Sequence, residues 1–251
     1  MFKHFALCLM FVWLLGCGAD DNSSDRDNNG TTGGLVPDPM LAYEVREQLD
    51  LTKNTPITVE ILQRLTSLEA FNPEVKDIRG LEHATQLKFL FLTGERISDI
   101  SPLAKLTQLT DLHFYNVPLS DISPLADLTG LEMLAIDNST QLSDISPLAN
   151  LTQLKNLFLT GNQISDVAPL ANLSLLFQLY LNENKISNVS PLANLTRLSA
   201  LELSDNQISD ISSLTQLPSL EGLYLYDNPL DQNAIDVHIP ALEARAVAVR
   251  F

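Results

Sequence analysis

Leucines recur along this chain with a beat of about 22 residues, a period that marks an internal structural repeat. Leu106-Thr107-Gln108-Leu109 returns as Leu128-Thr129-Gly130-Leu131, Leu151-Thr152-Gln153-Leu154 and Leu195-Thr196-Arg197-Leu198, on that beat or its multiple except for one extra residue between Leu128 and Leu151. The same phase places Leu62 and Ala84 before the series and Leu217 after it, which makes eight coils. Within each coil two apolar columns lie two residues apart, as in Leu90-Phe91-Leu92, Leu157-Phe158-Leu159 and Leu223-Tyr224-Leu225. A period of two is a short strand with alternate side chains inward. One strand per coil, stacked in parallel, gives a sheet along one side of a solenoid.

The rest of each coil carries Ser-Asp-Ile-Ser-Pro-Leu, as at 98–103, 120–125 and 143–148. Serine is a good N-cap and proline suits a first helical position, so Ser101-Pro102 should open a short helical turn. About ten residues return the chain to the next strand, too few for a full α-helix, which predicts 3₁₀ turns on the side away from the sheet. A lone coil cannot offset the entropy of ordering its backbone, so stability belongs to the array. Each end then needs a cap. Asp38-Pro39 reads as an N-cap with proline at N1 before an amphipathic helix over Leu41–Leu49, and Thr58 starts a second short helix through Leu62. After Asn228 the motif stops. Residues 234–245 read as a terminal helix, and Val247, Val249 and Phe251 alternate like a closing strand.

The pattern Leu-x-x-Leu-x-Leu-x-x-Asn-x-Ile-x-Asp-Ile-x-Pro-Leu, matched closely by Leu154–Leu170, resembles the leucine-rich repeats of the internalin family and related bacterial surface proteins. The resemblance covers residues 38–251. It implies an α/β solenoid: a leucine-rich-repeat horseshoe of about eight 22-residue coils, parallel sheet on the concave face, 3₁₀ and other short turns on the convex face. A helical N-terminal cap and a helix–strand C-terminal cap complete it. It further implies that the asparagine column Asn162, Asn184, Asn206 and Asn228 bonds to backbone groups of adjacent coils. The earlier coils depart from this, with Glu95, Val117 and the region of Ser139-Thr140, where the extra residue falls. A looser or bulged turn is expected across the second to fourth coils.

The N-terminus is of another kind. Lys3 and His4 precede an apolar run from Phe5 to Leu15, too short to span a bilayer and fitting a signal-peptide core. Leu14-Leu15-Gly16-Cys17 resembles a bacterial lipobox, so Cys17 is the expected lipidation site, and Gly18 after it favours the outer membrane. Residues 18–37 are rich in Asp, Asn, Ser, Gly and Thr and read as a flexible tether. The expected organisation is therefore signal peptide 1–17, tether 18–37, helical cap 38–61, repeats 62–228 and C-terminal cap 229–251. The localisation that follows is a bacterial cell envelope, lipid-anchored, at the outer membrane or cell surface.

Charge narrows the partners. The formal net charge is −16, which repels phosphate backbones and anionic lipid headgroups and makes nucleic acid a poor partner. Both cysteines, Cys8 and Cys17, lie in the apolar segment, so the repeats hold no internal disulfide. His83, His113 and His238 fall in no metal-ligand or nucleophile spacing, and the Asp column (Asp77, Asp99, Asp121, Asp144, Asp166, Asp210) offers one carboxylate per coil. Each of these aspartates is expected to accept backbone N–H bonds at its turn. No catalytic residue, metal or cofactor is expected.

The aromatic residues stand out. Twelve Phe and Tyr follow residue 17, and nine fall at outward strand positions: Phe71, Phe89, Phe91, Tyr115, Phe158, Phe177, Tyr180, Tyr224 and Tyr226. Exposed aromatics mark interaction surfaces, although they also suit strands as such. The candidate ligand-binding residues on the concave face are Phe89, Phe91, His113, Tyr115, Phe158, Tyr180, Glu202, Tyr224 and Tyr226. A length of roughly 35–40 Å for eight stacked strands suits a protein or extended polymer rather than a metabolite. The reading is an envelope-anchored, monomeric binding protein with a protein partner. A glycan or cell-wall adhesin, and a structural protein acting by self-association, stay open as alternatives.

Overall fold

The computed structural model describes residues 34–94 and 96–251. The expected signal peptide, the lipidation site Cys17, the tether up to residue 33 and Glu95 lie outside the described residues.

Nine strands form one parallel sheet in sequence order: β1 (Ser67–Ala70), β2 (Phe89–Thr93), β3 (Asp111–Tyr115), β4 (Met133–Asp137), β5 (Asn156–Phe158), β6 (Gln178–Tyr180), β7 (Ala200–Glu202), β8 (Gly222–Tyr224) and β9 (Ala248–Arg250). Register follows the leucine columns without a slip, with Leu68 opposite Leu90, Leu90 opposite Leu112 and Leu201 opposite Leu223. The one lengthened step, between Leu128 and Leu151, is absorbed outside the sheet, since Leu134 still faces Leu157. Inward side chains join one apolar core running from Val36 to Val249, with Phe114 its largest fully buried side chain.

From each of β1–β7 the chain returns through a 3₁₀ turn, beginning with Leu81–His83, Ser101–Leu103 and Ser123–Leu125. Serine opens most of these turns with proline second, but its side chain does not cap them. The carboxylate two residues earlier does so. Asp99 Oδ1 accepts from Ser101 N at 2.8 Å, and Asp77, Asp121, Asp144, Asp166 and Asp210 repeat the bond, with Asn188 substituting in its coil. N–H and hydroxyl donation from the serine two residues on holds Asp121, Asp144 and Asp210 below the usual carboxylate range.

The asparagine ladder forms as the repeat pattern implies. Asn184 Nδ2 donates to Leu159 O at 2.8 Å in the preceding coil and to Leu181 O at 3.0 Å in its own, while its Oδ1 accepts from Ile164 N at 3.0 Å. Asn206 and Asn228 do the same one and two coils later. In the third and fourth coils the corner is rebuilt rather than loosened. Asn116 and Asn138 keep the left-handed backbone (φ 54° and 60°), the conformation also held by Gly161, Glu183, Asp205 and Asp227. Val117 fills the asparagine site as a buried apolar side chain, and the buried Ser139 hydroxyl donates to Val117 O. The extra residue lies between Ser139 and Leu142, whose N–H turns back onto Ser139 O at 2.8 Å. Strands β2–β4 here are five residues long, against three for β5–β8, so the strands are not shortened there, while the turn of the fourth coil is bulged by its extra residue as expected.

Both ends are capped. Helix α1 (Pro39–Gln48) is opened by Asp38, whose Oδ1 accepts from Met40 N and Leu41 N at 2.9 and 3.1 Å. Asp38 Oδ2 accepts from Lys76 N and Asp77 N at 3.0 and 3.2 Å, tying the helix start to the first coil. The packed body begins before residue 38: Val36 is 7% exposed, and the Leu35 carbonyl lies where a Cβ on Gly80 would stand. Gly80, at φ 102°, is the residue that permits this approach. Helix α2 (Val59–Leu62) starts at Thr58 as expected. At the other end a π turn (Ala234–His238) leads into α3 (Ile239–Glu243), because Pro240 has no N–H to continue an ordinary ladder. β9 closes the sheet with Val247 and Val249 buried, whereas Phe251, expected to alternate inward with them, is 55% exposed.

Candidate binding surface

The outward side of the sheet gathers the aromatic side chains. Every second strand residue points away from the core, so three rows cross the strands, and the parallel register lays each row straight. The row between the two strand leucines runs Glu69, Phe91, His113, Ala135, Phe158, Tyr180, Glu202, Tyr224, and ends at Arg250 on β9. The next row adds Phe71, Tyr115, Asp137 and Tyr226 at the strand ends.

Exposure sorts the candidates. Tyr115 (46%), Tyr224 (39%) and Tyr226 (46%) are open to solvent, and so are Phe71 (53%) and Phe177 (51%). Phe89, Phe91, His113, Tyr180 and Glu202 are half-buried by neighbours in the same rows. Phe158 differs from expectation. It lies on this face, outside the core cluster, yet is only 7% exposed, so it serves as a floor rather than an open contact. Its register neighbours are Ala135 and Tyr180, and its ring meets Tyr180 edge-on at 4.9 Å. At the other end Phe91 packs on Phe71 at 5.1 Å and His113 at 6.0 Å, while Phe89 reaches His113 at 5.5 Å. Such ring pairs stiffen side chains before any ligand arrives.

Three polar groups are embedded in this surface. Burial of the His113 imidazole pushes its pKa below the ordinary value, despite the opposing effect of the Asp111 carboxylate. Burial raises Asp137, against the Thr160 N–H bond of 3.0 Å that favours its charge. Tyr180 is raised by burial first and by Tyr224 and Glu202 beside it. Glu202 Oε1 accepts from Ser204 N at 3.1 Å and from its hydroxyl at 2.5 Å, so the carboxylate is fixed along its strand.

The strand pattern does not single out the corner residues one place beyond the strand ends. Asn116, Asn138, Gly161, Glu183, Asp205 and Asp227 form that row, all in left-handed backbone. Their recurrence on the leucine beat, with the same one-residue lengthening between Asn138 and Gly161, is the signal that could have drawn attention to them. A pocket lined by Arg79, Glu82, His83, Ser101, Pro102, Ala104 and Lys105 lies among the 3₁₀ turns, away from the aromatic rows. Among the described residues no three metal-ligating side chains converge, and no helix is long and apolar enough to cross a membrane.

Comparison with known proteins agrees with this architecture. The family model for leucine-rich repeats (two copies) matches residues 129–172 and 196–236. No curated protein sequence matches the chain. Among solved structures, an internalin (inlF) of Listeria monocytogenes superposes with TM-score 0.79 at 37% identity, covering 86% of this chain and 63% of that one. Internalin C2 of the same organism gives TM-score 0.77 at 35% identity, covering 86% of this chain and 93% of its own length. A leucine-rich-repeat protein of Leptospira interrogans, 24% identical with TM-score 0.71 over 78% of this chain and 51% of that one, shares the fold. At 35% identity over 93% of internalin C2, the chain belongs to the internalin family of leucine-rich-repeat proteins.

Proposed function

We propose that this is an envelope-anchored binding protein whose sheet face docks a protein partner, with Cys17 as the lipid anchor and the outer membrane or cell surface as its location. The observation that carries the reading is the placement of rings. Of the aromatic side chains in the repeats only Phe114 joins the core cluster, while Phe71, Tyr115, Tyr224 and Tyr226 stand open on the sheet face. Contiguous exposed aromatic surface on a rigid sheet is suited to recognition, since large side chains with few rotatable bonds lose little entropy on contact. A sheet face nine strands long has room for a macromolecule rather than an enclosed metabolite.

Affinity capture with the protein beside its Phe91→Ala/Tyr180→Ala variant tests this. Loss of the captured partner with the fold retained is the expected result, and equal capture by both would remove the face from the account. A glycan reading draws on Asp137 lying in the rows beside Phe158. Competition of the capture by neutral oligosaccharides at matched ionic strength would favour it.

A further inference from the structure

The sheet face changes character along the stack. Over β1–β3 its rings are the phenylalanines Phe71, Phe89 and Phe91, with Glu69 beside Phe91 and Asp111 beside Phe89. Over β6–β8 the rings are tyrosines, Tyr180, Tyr224 and Tyr226, and carboxylates accompany them. Glu202 sits between Tyr180 and Tyr224 in the same row, and Glu183, Asp205 and Asp227 stand exposed at successive corners beside it.

The fold does not require those three acids. Their corners are held by backbone bonds, Glu183 N to Ser204 O at 3.0 Å and Asp205 N to Tyr226 O at 2.8 Å, and by the amides of Asn184, Asn206 and Asn228 on the carbonyls of Asn182, Ser204 and Tyr226. Earlier coils fill the same left-handed position with the uncharged Asn116, Asn138 and Gly161, so the corner has no need of a carboxylate. Among the described residues, no salt bridge or side-chain hydrogen bond engages the carboxylates of Glu183, Asp205 or Asp227. Like charges one strand spacing apart repel, so the row is locally unfavourable and without return in the fold. No lysine or arginine lies on β6, β7 or β8, and Lys185, two residues after Glu183, makes no ion pair with the row among the described residues. The one cation in the row is Arg250, on the terminal strand.

We propose that the β6–β8 end of the sheet face docks a cationic polypeptide segment. Its lysine or arginine side chains would lie over Tyr180, Tyr224 and Tyr226, between Glu202 and the Glu183–Asp205–Asp227 row. Cations over tyrosine faces and beside carboxylates gain from both ring quadrupole and charge. Complementarity selects the occupant. A second copy of a chain with net charge −16 is repelled, as are nucleic acid and anionic lipid. A neutral glycan has no use for the carboxylate row. A divalent ion needs several oxygens within about 2.5 Å of one point, whereas among the described residues no three metal-ligating side chains converge. The proposal rests on the sheet face being the binding surface and adds the chemistry of what binds there.

The test uses a synthetic Arg–Ser repeat peptide, a Glu–Ser peptide of equal length, a neutral oligosaccharide and calcium chloride, each titrated calorimetrically into the full chain. The face variant is Glu183→Asn/Glu202→Gln/Asp205→Asn/Asp227→Asn; asparagine already occupies this corner at Asn116 and Asn138, so the fold should hold, as circular dichroism would verify. A remote variant, Glu47→Gln/Asp127→Asn/Asp236→Asn/Glu243→Gln, removes the same charge elsewhere. The basic peptide should bind the native chain and the remote variant alike, bind the face variant at least about tenfold more weakly, and lose affinity with added salt. Equal weakening in the remote variant, or none in the face variant, overturns the proposal, as does tighter binding of the oligosaccharide or calcium at this site. Capture by the Phe91→Ala/Tyr180→Ala variant separates the two claims: if capture is lost there while the peptide ignores the face charges, only the cationic occupant falls.

Discussion

Truncating Asn184 and Asn162 to alanine should have unequal costs, although the two residues occupy equivalent corners. Both amide nitrogens donate to carbonyls of their own and the preceding coil. The oxygens differ. Asn184 Oδ1 accepts from Ile164 N at 3.0 Å, whereas Asn162 Oδ1 is buried without a partner. The donor that would serve Asn162 is Leu142 N, which the inserted residue diverts onto Ser139 O. Asn184→Ala leaves a buried N–H at Ile164 unsatisfied, a loss of about 1–3 kcal/mol, plus about 1 kcal/mol of net bonding by the amide nitrogen. Leu159 O and Leu181 O remain partly satisfied, because each also accepts from the next asparagine along, Asn162 and Asn206. Asn162→Ala orphans no N–H and removes an unpaired acceptor, so only the amide-nitrogen share of about 1 kcal/mol is lost. Urea unfolding followed by circular dichroism on both variants measures the difference, which should be at least about 1 kcal/mol with unchanged slope. Equal losses, or a larger loss at Asn162, would refute the ladder reasoning.

Replacing Ser139 by asparagine and deleting Thr140 restores the regular step and frees Leu142 N for Asn162 Oδ1; a gain of about 1 kcal/mol in the same urea assay is expected, and a loss would place the insertion's role elsewhere. Asp38→Ala removes four N–H acceptor contacts at once and should destabilise by about 2–3 kcal/mol, with amide exchange accelerated first in α1. His113 has its folded pKa depressed by burial. The unfolded chain therefore takes up the proton first, and stability falls as pH drops below about 6.5. Urea midpoints at neutral and mildly acidic pH should draw closer together in His113→Phe than in the native chain.

The sheet was legible because burial and period coincide. Wherever a leucine column runs unbroken, one register alone buries every member, so Leu68, Leu90 and Leu112 fix their pairing from spacing. Caps were legible at Asp38 and Thr58 for the same local reason. What spacing does not carry is how far neighbours cover an outward side chain. Phe158 and Tyr115 share a sheet face, yet Tyr180 and the small Ala135 row position leave Phe158 enclosed and Tyr115 open. Competition between equally good local groups is also invisible in the pattern. Both Ser101 and Asp99 could cap their turn, and the aspartate wins because an ionised acceptor makes the stronger bond to an N–H. The third- and fourth-coil corners read as loosened since asparagine was missing, but Val117 replaces polar bonding with burial. Phe251 follows the alternation of Val247 and Val249 in sequence, yet it stands one residue past β9, outside the strand pairing that holds Val249, and is 55% exposed.

The most direct test of leucines turned in and rings turned out is the stability of Phe114→Ala against Phe91→Ala. These phenylalanines sit in adjacent coils at positions that differ by a single step of the alternation. Phe114, 1% exposed inside the core, should lose about 3–5 kcal/mol on truncation. Phe91, held only by its ring contacts on the face, should lose about 1–2 kcal/mol. Losses of equal size, or a greater loss at Phe91, would contradict the winding on which the binding surface depends.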